Sequence, residues 1–169
     1  HSMGGLIASA TVQSFGLMGA SGLSLSSPLF DVALQVPWIK EKASSLLFKY
    51  LPDLTLDNEI ADEILSRDPE IVAMYKKDPL RHTRISPAVY NGMKVTMKKM
   101  DDSAAEFNAP TYIQAAGRDR VVSLAATEKF FQKISSPKKE LKVFSNSFHE
   151  IYNDLDREQA FRELNNWWR

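Results

Sequence analysis

The chain has 169 residues, of which 44% are hydrophobic and 25% are charged, with 7 Gly and 8 Pro. These proportions exclude a disordered, collagen-like or coiled-coil protein and fit one globular domain. Basic and acidic residues both number 21, so the formal net charge is +0, which argues against a nucleic-acid-binding protein. Cys is absent, which excludes disulfides, thiolate metal sites and a cysteine nucleophile. No apolar run reaches the ~20 residues that span a bilayer.

The first predicted elements are a helix and a short strand. From Gly5 onward, apolar and small residues are spaced as in a well-buried helix, and Gly16 ends this pattern. Residues 22–27 alternate apolar and small polar side chains, which predicts a strand that stops at Pro28. The sequence opens with His1 rather than Met, and we interpret it as beginning in the middle of a fold.

Residues 29–90, called the cap below, are predicted to be a helical insertion without a convincing strand. The clearest element is an amphipathic helix over residues 38–51, with apolar positions opposite lysines and Pro52 at its end. This helix either packs within the cap or forms a lid with an apolar face toward lipid, and its position between two strands favours the lid. Acidic residues dominate 51–70 and basic residues dominate 71–100, which we interpret as solvated faces.

Helices and strands alternate regularly in the last part of the chain. Met93, Met97 and Met100 form one helical stripe, which we interpret as core rather than as an acyl pocket. Strands are predicted over 110–116 and 141–144, and helices over 125–134 and 157–168. This order is typical of βαβ units and a parallel sheet. We therefore predict an α/β fold, with a core of residues 1–28 and 91–169 interrupted by the cap at 29–90.

Three candidate functional residues lie beside predicted elements at one edge of this sheet. Ser2 lies in a Ser-x-Gly-Gly turn that leads into the first helix, and Asp119 and His149 each follow a strand. Ligands of open α/β sheets bind at the carboxyl ends of strands, so the three side chains are expected to meet there. Their chain order, Ser, Asp, His, is that of the α/β-hydrolases.

These residue types suit acyl transfer. A serine hydroxyl becomes a strong nucleophile when an imidazole accepts its proton, and a carboxylate holds that imidazole in the required tautomer. We predict Ser2 as nucleophile, His149 as general base and Asp119 as the orienting acid. The Met3 N–H, at the start of the helix, is the predicted oxyanion donor. His82 has no second ligand at a suitable spacing, and we predict no metal site.

The motifs resemble those of one family. His1-Ser2-Met3-Gly4-Gly5 resembles the Gly-His-Ser-Met-Gly-Gly nucleophile elbow of the monoacylglycerol lipase and lysophospholipase group of α/β-hydrolases, without its first Gly. Residues 116–122 (Ala-Gly-Arg-Asp-Arg-Val-Val) resemble its acid loop, and residues 148–153 (Phe-His-Glu-Ile-Tyr-Asn) resemble the segment around its catalytic histidine. The resemblance covers essentially the whole chain. It implies an α/β-hydrolase fold, a mostly parallel sheet flanked by helices, from which the N-terminal strands are missing.

The resemblance implies a serine hydrolase that cleaves a carboxylic ester of a monoacylglycerol or lysophospholipid without a cofactor. Expected partners are the acyl ester, a transient lipid surface at the cap, and a complementary N-terminal segment or chain that supplies the second oxyanion N–H. A cytoplasmic or membrane-peripheral location is expected. A carboxylesterase or peptidase of the same fold remains an alternative. Another is a non-catalytic fragment whose sheet begins at an open edge, where a strand can pair.

Overall fold

The protein is described by a computed structural model over residues 1–33 and 46–169. None of the helices within these ranges is long and apolar enough to cross a membrane. Three short 3-10 turns (Asp62–Ile64, Ala104–Glu106 and Ile151–Asn153) accompany the regular elements. In chain order the helices and strands are α1 (Ser2–Phe15), β1 (Leu23–Ser26), β2 (Leu56–Asp57), α2 (Pro69–Tyr75), β3 (Arg84–Ile85), α3 (Pro87–Asp102), β4 (Thr111–Ala116), α4 (Leu124–Lys133), β5 (Lys139–Phe144) and α5 (Arg157–Trp167).

The main sheet is parallel, as predicted, and has the strand order β1-β4-β5. Leu25 of β1 is in register with Ile113 of β4, which in turn pairs with Leu141 of β5. All six residues of the central strand β4 are buried. Since the strands are parallel, their carboxyl ends lie at one edge of the sheet, and the residues after β4 and β5 are close neighbours there.

The helices follow the sequence pattern because their apolar faces pack on this sheet and on each other. Ser86 and Ser123 cap α3 and α4, each accepting a backbone N–H three residues later. Met100 of the methionine stripe is fully buried, and Met93 and Met97 pack against the same core. The prediction that this stripe belongs to the core is therefore confirmed.

The cap contains one feature that the sequence did not predict. Its strands β2 and β3 pair antiparallel through two residues each, so the expectation that this segment has no strand is wrong. Two-residue strands are too short to show an alternating pattern, which explains the error. Residues 46–50 are helical, and the rest of the predicted 38–51 helix lies mostly outside the described residues. The division at residue 90 stays a prediction, with α3 running across it.

Candidate active site

Ser2 begins α1 in a strained turn at the carboxyl edge of the sheet. Its φ is +50°, which lies in the left-handed region that non-glycine residues rarely adopt. The Ser2 carbonyl accepts a hydrogen bond of 3.1 Å from Leu29 N–H just beyond β1. A Cβ on Gly5 would lie 3.0 Å from Pro28 Cβ, which is tighter than nearly all Cβ contacts, so glycine eases this close approach of the helix. The turn therefore projects the Ser2 hydroxyl from the sheet edge, as a nucleophile elbow does.

The structure brings Ser2, His149 and Asp119 into one hydrogen-bonded chain. His149 Nε2 lies 3.0 Å from Ser2 Oγ, and His149 Nδ1 lies 2.8 Å from Asp119 Oδ2. The His149 and Asp119 side chains are 4% and 2% exposed. A carboxylate can only accept a hydrogen bond, so His149 Nδ1 carries the proton that it donates to Asp119. His149 Nε2 is then free to accept the proton of Ser2. This tautomer is the one that proton abstraction from a serine requires.

The Asp119 carboxylate is fixed by its own loop. Its second oxygen, Oδ1, accepts the backbone N–H groups of Val121 at 2.8 Å and Val122 at 2.9 Å. Both donors belong to buried residues. The carboxylate is thus held on one side by the backbone and presents its other oxygen to His149. Such fixed orientation is what gives an acid its value to a catalytic imidazole.

Two other acids near His149 in sequence, Asp154 and Asp156, are engaged elsewhere. Arg67 Nε lies 3.0 Å from Asp154 Oδ1, and Arg67 Nη2 lies 2.6 Å from Asp156 Oδ2. Neither carboxylate contacts the His149 ring in the described hydrogen bonds. Asp119 is therefore the acid that the fold offers to His149.

His1 and Glu150 form an ion pair beside the His149 ring. His1 Nε2 lies 3.3 Å from Glu150 Oε1, and His1 Nδ1 donates a hydrogen bond of 3.1 Å to the Ser26 carbonyl. Burial lowers the pKa of His1, but its hydrogen bond to Glu150 and the charge of that carboxylate outweigh burial and raise the pKa above its usual value. Burial likewise raises the pKa of Glu150, and His1 outweighs it, so the pKa of Glu150 is lowered. The two rings, His1 and His149, are 4.8 Å apart between centroids.

Met3 occupies the first turn of α1, directly after Ser2. The first N–H groups of a helix have no acceptor within that helix, and the positive end of the helix dipole favours negative charge there. The Met3 N–H is therefore placed where a developing oxyanion could accept it. Its role as an oxyanion donor stays a prediction.

A cavity of about 180 Å³ opens above Ser2 between the sheet edge and the cap. Its cap wall combines Asn58, Ile60, Leu65 and residues 81–83. His82, to which the sequence assigns no role, is an exposed residue of this cavity wall. Nothing in the local sequence separates these residues from ordinary surface residues, because their place depends on how the β2–β3 pair folds over the sheet. Across residues 1–33 and 46–169, no group of three His, Asp or Glu side chains could hold a metal ion.

Curated relatives at modest identity include two lipid hydrolases. The chain is 28% identical to the monoacylglycerol lipase of Mycolicibacterium smegmatis over 99% of this chain and 59% of that protein. It is 27% identical to phospholipase YtpA of Bacillus subtilis over 96% of this chain and 63% of that protein. The chain thus spans about three fifths of the length of these two relatives.

Solved structures show the same fold. The monoacylglycerol lipase of Paleococcus ferrophilus superposes with a TM-score of 0.92 at 26% identity, covering 99% of this chain and 65% of that one. A soluble variant of the Saccharomyces cerevisiae monoglyceride lipase, in complex with a substrate analogue, has a TM-score of 0.86 at 22% identity over 99% of this chain and 59% of that one. The fold is that of the α/β-hydrolases. The model of the family described as serine aminopeptidase, S33 matches residues 1–156. The chain therefore belongs to this serine aminopeptidase S33 family of α/β-hydrolases.

Proposed function

We propose that this protein is a serine hydrolase that cleaves carboxylic esters of mono-acylated lipids through an acyl-enzyme. The observation that carries the proposal is the hydrogen-bonded chain Ser2–His149–Asp119, with distances of 3.0 Å and 2.8 Å, in the α/β-hydrolase fold. Relatives named monoacylglycerol lipase and phospholipase support an ester of a lipid as substrate. The reaction needs no cofactor or metal, since the three side chains supply nucleophile, base and orienting acid.

In this mechanism Ser2 Oγ attacks the ester carbonyl carbon while its proton passes to His149 Nε2. The imidazolium that forms is stabilised by the Asp119 carboxylate at Nδ1. The oxyanion of the tetrahedral intermediate accepts the Met3 N–H, and a second donor comes from the N-terminal part that the family resemblance implies. His149 then protonates the leaving alcohol as the C–O bond breaks. A water molecule, deprotonated by His149, hydrolyses the acyl-enzyme and restores Ser2.

The cavity is consistent with the polar end of such a substrate. Its volume of about 180 Å³ is that of roughly six water molecules, which suits an ester with a glycerol-sized group. A long acyl chain would extend beyond these walls, over the cap. Within the cap, Leu46, Tyr50, Leu51 and Leu54 are 43–64% exposed. We propose that this apolar surface, called the apolar cap surface below, contacts the acyl chain or a lipid interface.

The family description favours a second candidate, an aminopeptidase. That activity needs a carboxylate to bind the free α-amine of a peptide. Glu150 is the acid in the described cavity wall, and its carboxylate is already paired with His1. A substrate amine would therefore compete with His1 for this carboxylate, which makes the ester the preferred substrate.

The proposal is tested with a fluorophosphonate probe and a monoacylglycerol assay on the full-length protein. Wild type should be labelled at Ser2 and should release fatty acid, and Ser2→Ala should lose both properties without a change in melting temperature. Ser123→Ala is the matched control, because this hydroxyl caps α4 at Ala126 N–H and should leave labelling intact. An unlabelled wild type would support a non-catalytic fragment, and hydrolysis of aminoacyl anilides but not esters would support the peptidase.

A further inference from the structure

A short segment of the cap is fastened to the loop that carries His149. We call residues 65–68 the strap and residues 147–156 the histidine loop. Glu150 N–H donates to the Leu65 carbonyl at 2.9 Å, and Ser66 Oγ donates to the Asn153 carbonyl at 2.8 Å. The strap therefore runs along the histidine loop and is bonded to it at several successive residues.

At the centre of this contact, Asp154 is a fully buried acid with no part in the proposed proton transfer. Its Oδ1 lies 3.1 Å from Arg67 N and 3.0 Å from Arg67 Nε, and its Oδ2 lies 3.1 Å from the same Nε. Burying a carboxylate is unfavourable unless it is paired and fully hydrogen-bonded, so this arrangement must be well satisfied to persist. Arg67 pairs with this buried carboxylate through both its side-chain Nε and its backbone N–H.

The Asp154 carboxylate also accepts hydrogen bonds from the backbone next to His149. Its Oδ2 accepts Phe148 N–H at 2.6 Å, one residue before His149, and its Oδ1 accepts Leu155 N–H at 2.7 Å. On the other side, Ser27 Oγ donates 2.8 Å to the His149 carbonyl. The backbone around His149 is thus held on both sides, and the restraint at Phe148, the residue directly before it, depends on Asp154.

We propose that Asp154, paired with Arg67, is a positioning residue that holds the His149 ring in line with Ser2 and Asp119. This inference rests on the proposed function. Without the Phe148 restraint, the histidine loop can shift so that Nε2 and Nδ1 no longer meet both partners at once. A displacement of about 1 Å in a catalytic group lowers turnover by up to ~10²-fold. Through the strap, the cap then takes part in setting the geometry of the proton-transfer chain.

The strap also provides a matched control. Asp68 Oδ2 lies 2.8 Å from Arg157 Nη1, and Asp68 caps α2 at Glu70 N–H. This ion pair joins the strap to α5, and neither side chain in it contacts Phe148 N–H or the Asp154 carboxylate in the described hydrogen bonds, although the Arg157 backbone N–H donates to the Asp154 carbonyl at 3.1 Å. Asp68→Asn therefore removes a strap contact of similar chemistry while leaving the restraint on His149 in place.

The test compares Asp154→Asn with Asp68→Asn in the full-length protein. In Asp154→Asn only one side-chain oxygen remains, so the amide cannot accept Phe148 N–H and the backbone N–H groups of Arg67 and Leu155 together. We expect kcat for a soluble ester to fall ~10- to 100-fold with KM nearly unchanged, whereas Asp68→Asn keeps the wild-type kcat. If Asp154→Asn does not fold, Arg67→Lys keeps the charge but loses the Nε contact, and we expect a smaller fall in kcat.

A proton NMR signal makes the outcome independent of activity. The His149 Nδ1–H that donates to Asp119 should give a far-downfield resonance in wild type and in Asp68→Asn, and this resonance should broaden or vanish in Asp154→Asn. Equal kcat and an intact resonance in Asp154→Asn, with only a lower melting temperature, overturn the positioning role. An active wild type whose activity survives Ser2→Ala instead overturns the proposed function, whatever the resonance shows.

Discussion

The geometry of Asp119 gives a sharp prediction for Asp119→Asn. Asparagine keeps one oxygen, which can still accept the N–H groups of Val121 and Val122, as Asp119 Oδ1 does at 2.8 Å and 2.9 Å. Its NH₂ group then faces His149 Nδ1, where the carboxylate oxygen lies at 2.8 Å. Two donors cannot share this contact, so the imidazole moves its proton to Nε2. In that tautomer His149 cannot accept the proton of Ser2.

We therefore expect kcat to fall by as much as ~10⁴-fold, which corresponds to about 5.4 kcal/mol of transition-state stabilisation. Stability should change little, because both loop donors keep an acceptor. Asp119→Ala is the informative partner variant: it loses the same catalysis but leaves two buried N–H groups unsatisfied, each at about 1–3 kcal/mol of unfolding free energy. The two variants should thus be equally inactive and clearly different in stability.

Steady-state hydrolysis of a short, soluble ester measures kcat, and urea denaturation followed by circular dichroism measures the free energy of unfolding. Asp156→Asn serves as a control, since its carboxylate contacts Arg67 and Ser147 rather than His149. Near-wild-type turnover in Asp119→Asn would falsify the assigned role of Asp119. Loss of turnover in Asp156→Asn alone would move that role to Asp156.

Three further predictions concern the His1–Glu150 pair, two glycines and the apolar cap surface. Because the pKa of His1 is raised in the folded protein, His1 contributes its full stabilising free energy below pH 6.5 and loses it as the pH rises through the folded pKa. Because the pKa of Glu150 is lowered, Glu150 stabilises the fold above pH 4.5 and loses that contribution as the pH falls through the folded pKa. The difference in melting temperature between wild type and Glu150→Gln should therefore be largest between those two values, and a difference that is constant with pH contradicts the pairing. A Cβ on Gly117 would lie 2.6 Å from backbone just after β5, so Gly117→Ala should cost about 1–3 kcal/mol of stability and reduce activity. Gly92→Ala in α3, whose Cβ meets no described heavy atom within 4 Å, should instead be neutral or stabilising, and equal losses in both variants contradict this reasoning. Leu51→Glu, on the apolar cap surface, should spare turnover of a short ester and lower turnover of a long-chain monoacylglycerol, since each buried CH₂ contributes about 0.8 kcal/mol; equal loss on both substrates would make the residue structural.

The core of the fold is readable in the sequence because its elements carry strong local patterns. The parallel strands around Leu25, Ile113 and Leu141 and the helices that cover them match the predicted segments within a few residues. The β2–β3 pair escaped prediction, since pairing across two residues is decided by tertiary contacts and not by alternation.

In the candidate site, too, some residues can be identified from the sequence and others cannot. Ser2, Asp119 and His149 were identified by chain order and by position after predicted elements, and the fold places them within hydrogen-bonding distance. Arg67 and Asp154 carry no comparable signal. Arg67 is the lone basic residue of the acidic segment 51–70, and Asp154 follows His149 among several acids, so their pairing is visible only once the strap lies on the histidine loop.

The pairing of β1 with β4 has a consequence for how this family can diversify. Leu25 pairs with Ile113, which lies 88 positions later in the chain, so the cap lies within a loop whose ends are joined by the core sheet. The entropy of closing a loop grows only logarithmically with its length, and doubling that length costs about 0.6 kcal/mol. Insertions or deletions in the cap therefore change the free energy of folding very little, as long as the strap and the β1–β4 pairing remain. Substrate preference can then change through cap length and composition while the catalytic edge of the sheet stays as it is.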